Sequence, residues 1–68
     1  MKFLIETERE TDGRWIAEIP ALPGVTAYGA TKIEAIAKAE ALAFRVLADR
    51  LEHEKKPAKE PAVSFAHS

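Results

Sequence analysis

Carboxylates are the side chains here whose spacing comes nearest to chemistry. Glu6, Glu8 and Glu10 alternate along one stretch, and Glu18 follows in the next. Paired carboxylates can share general acid and base work when a cleft pushes their pKa values apart. Alternation instead puts these glutamates together on one side of a strand, with no cleft to perturb any of them. Ser64 and Ser68 lie in the tail without a base in any familiar pattern. His53 and His67 have no spaced partner to make a known ligand set. No P-loop or GxGxxG occurs, and the absence of cysteine excludes disulfides and thiolate metal sites. The expectation is a protein that is not an enzyme and carries no metal or cofactor.

At 68 residues the chain is a single domain, 1–68. Domains of this size bury only ~60% of the surface their unfolded chains expose, so self-association is the expected remedy. A net charge of −1 provides no basic footprint for direct nucleic-acid contact. No apolar run approaches the ~18 residues of a membrane span, and the N-terminus has too short an apolar stretch for a signal peptide. A soluble, cytoplasmic homo-oligomer is expected.

The elements that position these side chains can be read in order. Residues 2–10 and 14–20 read as strands, joined through Asp12-Gly13. A two-residue loop would set Trp15 against Glu10 and Ile19 against Glu6. A three-residue loop, Thr11 to Gly13, pairs Ile5 with Ile19, Thr7 with Ala17 and Arg9 with Trp15. Only the second gathers the apolar residues on one face. The other face then carries Leu4, Glu6, Glu8, Glu10, Arg14, Ile16 and Glu18. It is either a solvated surface or one kept acidic for a basic partner. Trp15 reads as a core residue, with an interface anchor as the alternative. Leu22-Pro23-Gly24-Val25 fits a type II turn, inside a wider loop that leads to a third strand, 25–28, ended by Gly29.

Thr31 and Glu34 have the spacing of a capping box, the start of a helix expected over 32–53. Its apolar arc is wider than one sheet needs, and Ile36, Phe44, Leu47 and Leu51 on it are the expected self-association residues. Residues 54–61 read as a charged, proline-bearing linker and 62–66 as a short fourth strand. The alternation of that strand is weak, so pairing with its own sheet, pairing with a neighbour's and disorder all stay open. A right-handed crossover places it beside strand one, for a sheet order 3-2-1-4 with one long helix on one face.

The order DG-x-W-x-A-x-IP-x-LPG-VTAYG-x-T-x-x-EA, from Asp12 to Ala35, resembles the HicB-like antitoxin family of bacterial toxin–antitoxin modules. Gly13, Trp15, Pro20, Leu22, Pro23, Gly24, Gly29, Thr31, Glu34 and Ala35 carry the motif, mainly as structural positions. With the first strand, the alanine-rich helix and the trailing strand, the likeness spans nearly the whole chain. It implies an α+β, truncated ribonuclease-H-like β-β-β-α-β fold, without the carboxylate constellation of a nuclease. It also implies a partner, a small HicA-type toxin that cleaves mRNA. Glu6, Glu8, Glu10, Ile16 and Glu18 are the expected toxin-binding residues, set against the cationic surface such a toxin needs for phosphates. The DNA-binding domain of many HicB-like proteins has no counterpart in the tail. Two other readings are an orphan oligomeric scaffold of the same fold without a cognate toxin, and a small-ligand module at a subunit interface.

Overall fold

The computed structural model describes residues 1–55 and 63–67. Five elements follow in order: β1 (Lys2–Arg9), β2 (Trp15–Glu18), β3 (Thr26–Gly29), α1 (Lys32–Glu54) and β4 (Ser64–His67). Most of the expected linker, along with Ala62 and Ser68, lies outside the described residues. The fold is α+β, a four-stranded mixed sheet of order β3-β2-β1-β4 with the helix packed on one face.

Side-chain parity and one glycine set the first hairpin. β1 and β2 pair antiparallel with Thr7 opposite Ala17 and Arg9 opposite Trp15, the register of the three-residue loop. Glu10 closes that loop, its N–H donating to Arg14 O at 2.7 Å and its carbonyl accepting from Gly13 N at 3.0 Å. Gly13 takes φ +91°, a region a Cβ would make costly. The Asp12 carboxylate adds a brace of its own. Oδ1 accepts from the Arg14 N–H at 3.0 Å and Oδ2 from Arg14 Nε at 2.7 Å.

β2 is shorter than expected because its chain leaves the ladder at Ile19, whose N–H donates to Val25 O across the loop. Pro20, which follows, has no N–H to contribute. Two turns then run in succession, closed by Leu22 N–H to Ile19 O and Val25 N–H to Leu22 O. Gly24 at φ +85° supplies the positive φ of the second. These turns aim Leu22 and Val25 inward, each 1% exposed.

Thr31 caps α1, its hydroxyl accepting from the Glu34 N–H at 3.1 Å. The reciprocal half of the capping box differs from expectation. The Glu34 carboxylate is held by Lys38 Nζ at 3.0 Å and by the Ala30 backbone rather than by Thr31. The helix also continues one residue past the expected end, through Glu54, with Lys55 in the left-handed region and its N–H on Leu51 O.

β4 joins the chain's own sheet, parallel to β1, with Phe65 opposite Phe3. The Phe65 ring stands 5.9 Å from that of Phe3 and 5.6 Å from that of Phe44. The core comprises Phe3, Ile5, Ala17, Ile19, Leu22 and Val25 from the sheet side and Ala35, Ile36, Ala39 and Ala43 from α1. Trp15 packs half-buried against it, the core reading of that residue. Ile36 corrects the expected self-association set. It is 4% exposed and packs inside its own subunit, and Leu47 is half-buried against the same core, whereas Phe44 and Leu51 remain 52% and 40% exposed.

Candidate functional site

With the helix on one face, the other face of the sheet has no layer over it among the described residues. Phe3 and Ile5 point into the core, so Leu4, Glu6 and Glu8 must point away. Ala17 is fully buried, which turns Ile16 and Glu18 outward on β2. The register then builds two rows across three strands. One is Glu6, Glu18 and Thr26, and the other is Glu8, Ile16 and Tyr28.

Glu6, Glu8 and Glu18 are exposed, while Ile16 is half-buried between its neighbours. Leu4 is 59% exposed and Tyr28 43%, which adds an apolar component to the acidic rows. Glu10 falls just past the end of β1 and is half-buried, at the edge of the face rather than in a row. Five side chains expected to act together are thus brought together, four within the sheet and one at its rim.

Two cations belong to this face, Lys2 at the start of β1 and Arg14 beside β2. The Arg14 guanidinium lies 4.8 Å from the centre of the Tyr28 ring and is tied to Asp12. Those two contacts commit it: the ring face attracts the cation and the carboxylate offsets its charge. The Arg14 backbone N–H and then its guanidinium hold the Asp12 carboxyl below its ordinary value. The ion pairs Arg14–Asp12 and Lys38–Glu34 leave Glu6, Glu8 and Glu18 without one among the described residues.

Glu6 and Glu18 sit directly across from each other. Like charges in that position destabilise a sheet, so the row works against the stability of its own scaffold. Such a face cannot hold a substrate in a cleft, but it can lie against a flat, oppositely charged surface. Among the described residues, no group of three or more His, Cys, Asp or Glu is placed to hold a metal ion.

No family model matches the chain, no curated protein is significantly similar to it, and no solved structure matches it. The reading of the site therefore stands on its own residues.

Tyr28 and Thr26 are the members of the face that sequence reasoning did not place there. Their signal was parity. Gly29 pairs with Trp15, so Tyr28 must share a side with Ile16. That register depends on the length of the Pro20–Val25 loop, which residue pattern alone leaves open. The expected structural positions Gly13, Gly24 and Thr31 are all in use, and Gly29 has a further role taken up in the Discussion. Among the described residues no helix is long and apolar enough to cross a membrane.

Proposed function

We propose that this protein is an antitoxin-like inhibitor of a bacterial toxin–antitoxin module, on a truncated ribonuclease-H-like scaffold. It binds a small, basic, RNA-cleaving HicA-type toxin and occludes the surface that the toxin needs for RNA. The observation that carries the reading is the cluster of Glu6, Glu8 and Glu18 on an uncovered sheet face, with Glu6 and Glu18 kept directly opposite.

The mechanism follows from electrostatics. An enzyme that cleaves RNA must present cations to phosphates. A rigid sheet carrying carboxylates a strand spacing apart offers those cations an alternative set of anions. Their field also steers the encounter, so association should weaken steeply as salt rises. Ile16, Leu4 and Tyr28 supply the apolar contact that charge alone does not, with Tyr28 suited to act as an anchor. Inhibition is then steric and needs no reaction.

The test looks in the neighbouring reading frame for a short basic protein and produces it in cells as the toxin. Wild-type protein is expected to restore growth, and the triple reversal Glu6→Lys, Glu8→Lys, Glu18→Lys to lose that rescue while keeping its circular dichroism and melting transition. Rescue undiminished by the triple reversal refutes the reading.

A further inference from the structure

Hydrogen-bond parity turns the backbone of β3 outward at two residues. Ile19 N–H donates to Val25 O, which makes Ile19–Val25, Ala17–Ala27 and Trp15–Gly29 the hydrogen-bonded pairs between β2 and β3. Antiparallel ladders alternate, so Thr26 and Tyr28 aim their N–H and C=O groups away from β2. β3 ends the sheet on that side. Among the described residues, no backbone hydrogen bond from a turn or loop reaches either residue. Edge strands commonly guard such groups with proline, charge or a bulge. Thr26, Ala27, Tyr28 and Gly29 include neither proline nor charge, and their pairing with β2 runs without a bulge. α1 presses on Gly29 from the inner face rather than from the edge, since a Cβ there would point at Ala35.

We propose that β3 is a strand-addition site, which takes an extended segment of a basic partner antiparallel to itself. The inference rests on the reading of the acidic face and adds the means by which the partner is held. Main-chain bonds to Thr26 and Tyr28 supply attachment, and alternate side chains of the added strand supply selection.

The two positions ask for different side chains. A partner residue opposite Thr26 continues the row of Glu6, Glu18 and Thr26. Glu18 lies two strand spacings away, ~10 Å, with only the short Thr26 side chain between. A lysine or arginine laid over Thr26 therefore reaches the Glu18 carboxylate. A partner residue opposite Tyr28 continues the row of Glu8, Ile16 and Tyr28. Arg14 already occupies the cation position on that ring, so an apolar side chain fits there. A second copy docking by its own β3 would set Tyr28 beside Thr26 and leave Glu18 unanswered. Arg14, the cation nearest that strand, is already tied to Asp12.

Amide spectra of the isotope-labelled full chain test it, with a synthetic peptide of ~6 residues as the probe. Its leucine and arginine stand two apart, leucine first, with threonine between and on either side. The Thr26 and Tyr28 amide signals are expected to move furthest, and their hydrogen exchange to slow. In antiparallel pairing the leucine and arginine N–H groups face β3, so N-methylating them is expected to weaken binding about tenfold. N-methylating the threonines, whose N–H groups face solvent, should leave it unchanged. Thr26→Pro removes an outward donor that the β2 ladder does not use, a placement an edge strand tolerates. It should weaken binding to a similar degree while the remaining amides keep the native pattern. Loss caused by the methylated threonines instead, or no shift at Thr26 and Tyr28 at millimolar peptide, would overturn the proposal. Protection of both amides before any peptide is added would do so too, by giving the edge to a second copy. Shifts confined to Glu6, Glu8 and Glu18 would overturn strand addition and leave the acidic face standing, as would rescue lost only on charge reversal.

Discussion

A Cβ placed on Gly29 would stand 2.6 Å from the backbone nitrogen of Ala35 and 3.0 Å from the Glu34 carbonyl carbon. The last residue of β3 thus lies directly under the first turn of α1. Ala35 is fully buried and its N–H donates to Thr31 O at 3.1 Å, so the nitrogen cannot retreat without loosening that turn. Strand pairing of Gly29 with Trp15 holds the other side of the contact.

Gly29→Ala should therefore destabilise the protein by ~1–3 kcal/mol, the usual range for an overpacked site. Denaturant unfolding monitored by circular dichroism measures it, with the midpoint lowered and the slope unchanged. A variant as stable as wild type would show that the helix shifts away freely. The cost is steric, not conformational, since Gly29 is not among the glycines with positive φ.

Gly29 also marks where the sequence stops being legible. From residue pattern it is a strand terminator, and nothing local says that a helix will press on it. The hairpin was readable because its alternatives exclude each other: one loop length sorts apolar from charged residues and the other mixes them. The second turn was readable because Pro23-Gly24 demands one backbone geometry. The helix existed in the pattern, but its rotation did not. Its apolar residues cover so much of the circumference that Ile36 passed for an outward residue, and only the sheet determines that it points inward. Of the acidic face, the parity of β1 and β2 was legible and that of β3 was not.

Glu6 and Glu18, opposed across the hairpin, yield a second prediction. Glu18→Lys turns a like-charged cross-strand pair into an opposite one and should stabilise the fold by ~0.2–1 kcal/mol at low ionic strength. Both side chains are exposed, so added salt should shrink the gain. Thermal melts of both proteins at low and high salt measure it. The same substitution removes an anion from the proposed toxin-binding face, so greater stability should accompany weaker rescue. A variant no more stable than wild type at low salt would mean that the opposed carboxylates already avoid each other at no cost.

Two carboxyls outside that face contribute to the acid limb of stability. Asp12 is held below its ordinary value by the Arg14 backbone N–H first and then by the Arg14 side chain. Glu34 is lowered by its hydrogen bond to Lys38 and then by the Ala30 backbone. A carboxyl whose pKa is lower folded than unfolded binds fewer protons in the folded state. Its contribution is present above the unfolded value and is lost as pH falls through the folded one. The double variant Asp12→Asn, Glu34→Gln should therefore melt below wild type at neutral pH, and the two should converge below the ordinary carboxylate range. Both side chains are exposed, so the gap should be small and should narrow with salt. Melting curves across the acid range read it directly. A gap that persists with both carboxyls protonated would place the loss in the turn and the cap themselves, not in their charge.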